Sequence, residues 1–598
     1  MSSGRIRFPD LVRGVIAGIP DTRATLSGAV DMLRARWGKR WSIGALLEAQ
    51  ARRHADRPAV LFGDRKWTYA QLNAWANRLA RVLARQGIGP GDCVALLMEN
   101  HPAVLALVAA LAKLGAIAGM LNPNQRGDVL RHSLRAMRPK RVIVAGECLA
   151  AWQELGEPQA PLWLPGHAKE PPPAGWLDLD AAAKKAPAGN PDSTRQVQIG
   201  QPCYFILTSG TSGLPKASVM THRRWLNSMA GMGRVALHLT PEDVLYCALP
   251  LYHNNGLTVS WGAAMGAGAA LALDRKFSAS RFWDRARHYR ATAFTYIGEL
   301  CRYLLAQPPS ARDREHTVRA CIGNGLRPEI WSEFKQRFGI ARVCEFYAAS
   351  EANIAFVNAF NADATAGFCP MSFAVVRCDP DTAQPLRGPD GWLEKVVAGD
   401  VGLLMTEVTD RAPFDGYTDA SAGEARLVRA AFAAGDCWFN TGDLVRDQGW
   451  RHVAFVDRLG DTFRWKGENV ATTEVEAALR ACEGVADAAV YGVRVPGHDG
   501  RAGMAALQLA EGTVFDGERL AATLSPRLAP YAAPVFVRLV PELATTATFK
   551  TLKQDLKREG ADPAQVRGPL YVRTQAGSAY EPLDGELWRA IGEGRVKL

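Results

Sequence analysis

The run TSGTSGLPK, Thr208 to Lys216, gathers residue types that can hold phosphate: glycines that let backbone N–H groups approach an anion, hydroxyls, and a lysine. A Walker A loop, G-x-x-x-x-G-K-[ST], sets its lysine directly after the last glycine and a metal-binding hydroxyl after that. Here Gly210 and Gly213 lie three apart, Leu214 and Pro215 separate Gly213 from Lys216, and Ala217 stands where the hydroxyl belongs. A phosphate site built on this loop needs another geometry. Taken alone, the loop also reads as a Gly/Ser turn with no ligand.

The flanking residues indicate what must position it. CYFIL, ahead of Thr208, reads as a buried strand, and THRRWLNSM after the loop has helical spacing. Residues 58 to 145 alternate strand-like and helix-like patterns, the signature of βαβ units and a largely parallel, doubly wound sheet. Thr68 and Gln71 form a capping box, Leu72, Trp75, Leu79, Val82 and Leu83 share a helical face, and Gly87 suits the C-terminal cap. CVALLM is a strand, HPAVLALVAALAKLG a helix closed by Gly115, and RVIVA a further strand. From Gly156 to Gln201 the Pro-, Ala-, Lys- and Gly-rich composition predicts mostly surface loop.

The 598 residues exceed what one compact core accommodates, so at least two units are expected. Apolar residues at 48% and charged residues at 22% fit a globular enzyme. The net charge of +11 suits a polyanionic ligand or an anionic membrane surface, and equally an arginine-rich composition without such a role. No zinc-finger spacing, RNP-like strand or basic heptad helix accompanies it, which argues against nucleic acid as a partner. The eleven scattered cysteines show neither a CxxC site nor a disulfide framework, as expected of a reducing, cytoplasmic compartment. The first residues lack the apolar core of a signal peptide. Val104–Leu121 and Gly256–Leu273, the most apolar stretches, read as buried helix-plus-strand elements rather than membrane spans.

Four further stretches follow the loop in order: EFYAASEAN at 345–353, FNTGDL at 439–444, DRLGDTFRWKGENVATTEVE at 457–476 and TATFK at 546–550. Together they resemble the adenylate-forming superfamily of acyl-CoA synthetases, luciferases and peptide-synthetase adenylation domains. DTFRWKGENVATTEVE and the tail PLYV, YEPLD and IGEGRVKL look most like its fatty-acid transport protein and very-long-chain acyl-CoA synthetase branch. The resemblance runs from Trp41 onward.

It implies an α/β fold: a basic N-terminal segment at 1–40, a large N-terminal domain of layered α/β subdomains at 41–459 that binds ATP and the acyl group, and a small, mobile α+β C-terminal domain at 460–598. It implies two half-reactions, in which a carboxylate attacks the α-phosphate of ATP to give acyl-adenylate and pyrophosphate, and the thiol of coenzyme A then displaces AMP. Thr208, Ser209, Gly210, Thr211, Ser212 and Gly213 would close over the β- and γ-phosphates with Lys216 nearby. Tyr347 would lie against the adenine, Ser350 near the α-phosphate, and Glu351, with Thr208, on Mg2+. Gly323, Asn324 and Gly325 would form the adenine-side loop, and Asp443 and Arg458 would meet the ribose. Lys550 would steady the α-phosphate and the carboxylate. His253 falls at the mouth of the acyl pocket, Lys466, Gly467, Glu468 and Asn469 at the CoA tunnel, and Gly460 at the hinge, where the family more often has Asp or Lys.

Ala348, Ala352 and Ala547 replace glycines of the family pattern, and Ser212 and Ser350 replace threonines. The implied activity is a long- or very-long-chain fatty acid–CoA ligase. Rival readings are a bile-acid, aryl or medium-chain CoA ligase, a fatty-acyl-AMP ligase, and a membrane-bound fatty-acid carrier. The arginines of the first 40 residues suggest peripheral contact with an anionic membrane. Acyl chain length and oligomeric state are not legible.

Overall fold

The computed structural model describes residues 4–598 except 20–21, 38–39, 158–159, 169–170, 210–214, 349–353, 380–383, 411, 415, 417, 419–422, 425, 459–461, 467, 499, 547–550, 576 and 578. Two large sheets make the body. The first has seven strands, with Cys93–Leu97 between the parallel strands Ile117–Met120 and Arg141–Ala145, and it ends in the antiparallel hairpin Pro202–Ser209 and Pro215–Thr221. The second has fourteen strands, parallel through Val244–Cys247, Ala293–Ile297, Ala320–Asn324 and Arg342–Ala348, then antiparallel toward Cys437–Gly449. Parallel strands covered on both faces read as continuous apolar runs, and all five residues of Cys93–Leu97 and of Ala293–Ile297 are buried.

The expected helices form as their residues dictate. Thr68 and Gln71 close a capping box at the head of Tyr69–Arg85, and Gly87 follows its end at φ +78°. Pro102–Leu114 is wholly buried and ends at Gly115 in the left-handed region, where glycine carries no steric penalty. Its Lys113 has no exposed side-chain surface and pairs with Glu48 at 2.7 Å; burial pulls the lysine down to about 8 despite that partner. No described helix is long and apolar enough to cross a membrane.

Two expectations need refining. The stretch after Gly156 is mostly loop, as its composition predicts, but it also holds regular elements: Leu162–Leu164 is a buried strand pairing with Arg141–Ala145, and Leu177–Asp178 and helix Leu179–Lys184 follow. Its three-residue apolar core is too short to register a period against the surrounding Pro and Lys. A strand also intervenes between the glycine-rich loop and helix His222–Met229, because PKASVMT is long enough to pair back along the loop's incoming strand. That strand is covered on its other side, where Val219 N–H donates to the Gly416 carbonyl and Thr418 N–H to the Ala217 carbonyl.

A smaller α+β unit follows. It has a five-stranded sheet from Val485–Val493 to Glu581–Pro582, helices Thr472–Arg480 and Gly517–Leu524, and its own apolar cluster around Val490, Leu507, Phe536 and Leu524. Near the N-terminus, helix Thr22–Trp37 packs on the π-helical turn Ala230–Ala236, where a Cβ at Gly28 would press on Val235 and Asp31 pairs with Arg234 at 2.9 Å.

Candidate active site

The glycine-rich loop is the turn of a β-hairpin. Thr208 faces Lys216 and Ser209 faces Pro215 across the ladder, so residues 210–214 are closed by paired backbone on both sides. A Walker A loop runs from strand into helix, so the structure excludes that geometry as the spacing did. Lys216 is half-buried at the outgoing edge. Gly210, Thr211, Ser212 and Gly213 lie outside the described residues, as do Ser350, Glu351, Gly460, Gly467 and Lys550, and the side chains of Thr208, Ser209, Arg458, Glu468 and Asn469 are likewise not described.

The strand ends of the second sheet bring several other expected residues together. Gly323 and Asn324 finish Ala320–Asn324, and Gly325 follows at φ +86°. A Cβ on Gly298 would overlap the Gly325 carbonyl, so Gly298 is needed for this close approach and Gly325 for its left-handed backbone. Asn255 donates to the Asn324 side chain at 2.7 Å, which joins the loop to the segment carrying His253. That segment continues as the π-helical turn Asn255–Trp261, a rare form that recurs at functional sites. His253 packs against Tyr252 with ring centroids 4.6 Å apart, and burial pulls its pKa down to about 4, so the imidazole is neutral at pH 7.

Tyr347, on Arg342–Ala348, donates its phenolic hydrogen to Asp443 at 2.6 Å. Asp443 is buried within Cys437–Gly449, directly across from Arg458. The TGD triplet is therefore part of a strand rather than a turn, with Gly442 at φ +72°. The Thr441 hydroxyl accepts from the Asp443 N–H and donates to the Leu404 carbonyl, which fixes where the carboxylate points. Lys466 caps the hairpin Phe463–Trp465 and Glu468–Val470 at φ +52°. Thr545 and Thr551, on either side of residues 547–550, form an antiparallel bridge.

One residue inside a quoted motif received no role from the sequence. Glu345 is buried, and its carboxylate accepts the N–H groups of Gly325 and Leu326 and the hydroxyl of Tyr296. Burial pushes its pKa up to about 8, against the pull of those donors. It ties the Gly323–Gly325 loop to the strand bearing Tyr347. The available signal was a glutamate at the apolar start of EFYAASEAN, where a charge is costly without partners. Ala348, one of the glycine replacements, ends a strand paired with Ala355 and is not in the left-handed region, so the methyl is accommodated there.

The donor set suits a nucleotide: an acceptor-only carboxylate beside an aromatic ring, a glycine pair with close backbone approach, and a hydroxyl-rich hairpin with a lysine. No group of three or more His, Cys, Asp or Glu among the described residues could hold a metal ion. Of the two residues expected on Mg2+, Glu351 is outside them and the side chain of Thr208 is not described.

Comparison with known proteins places this arrangement in a class. Residues 47–393 match the AMP-binding enzyme family and residues 474–550 the AMP-binding enzyme C-terminal domain. The chain belongs to this adenylate-forming family, in its acyl-CoA ligase branch. Among its relatives, the medium/long-chain-fatty-acid–CoA ligase FadD6 of Mycobacterium tuberculosis is 49% identical over 99% of this chain and 98% of its own length. Human long-chain fatty acid transport protein 1 is 38% identical over 93% and 88%. Among solved structures, the anthranilate CoA ligase AuaEII with anthranoyl-AMP matches with a TM-score of 0.73 at 20% identity, covering 87% of this chain and 97% of that one. ATP-bound MatB from Rhodopseudomonas palustris matches at 0.70 and 24%, covering 87% and 99%. At these identities the structural likeness speaks for the fold.

Proposed function

We propose that the protein is an ATP-dependent fatty acyl-CoA synthetase, which forms an acyl-adenylate from a long-chain or very-long-chain acid and passes the acyl group to coenzyme A. The 49% identity to a medium/long-chain ligase, over 99% of this chain, carries this reading. The aryl-acid ligases among the structural neighbours are too distant to argue for an aryl substrate.

In this reading Asp443, oriented by Tyr347 and Thr441, accepts from the ribose hydroxyls, with Arg458 beside it. The Gly323–Gly325 backbone, held by Glu345, frames the adenine. The Thr208–Gly213 hairpin and Lys216 receive the outer phosphates, and Ser350 lies near the inner one. Glu351 and Thr208 would hold Mg2+, which neutralises phosphate charge that otherwise repels the carboxylate. Lys550 stabilises charge on the α-phosphate and the carboxylate as it develops. Neutral His253 borders the acyl pocket without adding a buried charge. The KGEN hairpin tip at Lys466–Asn469 lines the CoA path, and the small unit turns about Gly460 between the half-reactions.

The test is pyrophosphate and thioester formation from acids of graded length, with and without CoA, beside Lys550→Ala. Removing one transition-state donor should lower adenylation on the order of 10²-fold or more. Thioester from long acids, lost in the variant, is the expected result. Pyrophosphate without thioester would instead make it an acyl-AMP ligase, and no pyrophosphate with any acid would favour a carrier.

The acid would be met at a lipid surface. Helix Phe8–Gly18 and its successor leave Phe8, Val15, Ile16, Ile19, Leu26 and Val30 more than half exposed, flanked by Arg7, Arg13, Arg23 and Arg34, which matches an in-plane helix pair on anionic lipid. Ile16→Glu with Ile19→Glu should abolish sedimentation with phosphatidylserine-containing vesicles. Unchanged sedimentation would remove this reading.

A further inference from the structure

An ion-pair network crosses between the large and small units. On helix Gly298–Leu305 of the large unit, Arg302 reaches Asp487 of the small unit at 2.7 Å and Glu299 at 2.7 Å. Arg327, two residues after Gly325, lies 3.3 Å from Glu299 and 3.6 Å from Glu476. Glu476 takes Lys553 at 2.6 Å and Arg480 at 3.5 Å and accepts the Val490 N–H, and Arg480 also holds Asp487 at 2.8 Å. Nearer the expected hinge, Asp457 accepts from the N–H and hydroxyl of Thr472, the first residue of the small unit's helix, and Lys553 donates to that hydroxyl at 3.3 Å.

Two features separate this network from an ordinary surface cluster. Glu476, Asp487, Arg480 and Lys553 keep between 6% and 14% side-chain exposure, so screening by solvent is weak. It is also incompletely satisfied: Arg327 Nη1 and Arg480 Nη1 are buried with no hydrogen-bond partner. A fully satisfied buried network would fix the two units rigidly, whereas one that leaves donors unmet gives up less on opening.

We propose that Arg302–Asp487 and Arg327–Glu476 form a releasable latch that holds the small unit in the adenylation orientation. Glu476 binds at once Arg327, beside the adenine-side loop, and Lys553. Lys553 follows Lys550 by three residues in the sequence. Seated, the latch keeps the lysine-bearing segment beside the adenine-side loop; rotation about the hinge breaks it. Arg302 and Asp487 are positioning residues that touch no substrate. The proposal rests on the two-step ligase reading above.

The experiment is a double-mutant cycle with Arg302→Met and Asp487→Asn, each half-reaction measured separately. Adenylation is followed by ATP–pyrophosphate exchange, and thioester formation from supplied acyl-adenylate and CoA. Each single variant should lower the ratio of adenylation to thioester formation about five-fold, and the double variant about as much as either single, because the pair acts as one unit. An unchanged ratio, a ratio shifted toward adenylation, or singles whose effects multiply in the double variant would overturn the latch. Thermal melts of all four proteins separate this from simple unfolding, which lowers both half-reactions together. Failure of the ligase reading shows separately, as wild-type protein lacking both half-reactions.

Discussion

Two buried glutamates, Glu345 in the large unit and Glu476 in the small one, carry the same charge chemistry and are held in opposite ways. Glu345 meets only neutral donors, and burial raises its pKa to about 8. Burial alone would raise Glu476 too, but the charges of Lys553, Arg480 and Arg327 outweigh it and keep its carboxyl below the usual range. A neutral network fixes a loop that should not move. A charged one at a junction is strong when assembled and can be replaced by solvent when it opens.

The contrast can be broken first at its charged end. Glu476→Ala leaves the largely buried Lys553 and Arg480 and the partly buried Arg327 without their shared anion, and should cost about 3–5 kcal/mol, read by chemical denaturation of the intact chain. Less is expected from Gly298→Ala, whose methyl would overlap the Gly325 carbonyl: about 1–3 kcal/mol of overpacking, with a raised KM for ATP. A KM equal to wild type would show that the loop does not frame the nucleotide.

The smallest effect gives the sharpest comparison. Glu345 binds its proton more tightly folded (about 8) than at its ordinary value of 4.5, so its contribution is full below 4.5 and is lost as pH rises through 8. Glu476 has the opposite sign: its contribution is present above the ordinary carboxylate range and is lost as pH falls through its depressed folded value. Glu345→Gln mimics the protonated form, so it should stay within about 1 kcal/mol of wild type at pH 5 and flatten the decline in melting temperature toward pH 8. A decline that persists unchanged in the variant would assign it to another group.

What the sequence made legible follows the range of the forces involved. Helix Tyr69–Arg85 was readable because its capping box and apolar face lie within seventeen residues, and the parallel sheet because its strands are continuously apolar. Strand Pro215–Thr221 was not, since only its partner across the hairpin identifies it. At the site, the resemblance assigned Tyr347 and Asp443 to one nucleotide without giving the hydrogen bond between them, and the role of Glu345 depends on N–H groups twenty residues earlier in the chain. The junction was illegible for the same reason: Arg302 and Asp487 are 185 residues apart and neither belongs to a motif.

The hairpin that carries the glycine-rich turn would otherwise end its sheet with a bare row of peptide groups. Gly416 and Thr418 cover part of that row, the first accepting the Val219 N–H and the second donating to the Ala217 carbonyl. An uncovered strand of this kind is a template for a second chain. Besides leading into FNTGDL, the segment therefore protects against self-association, and shortening this connection would first show as aggregation rather than as lost catalysis.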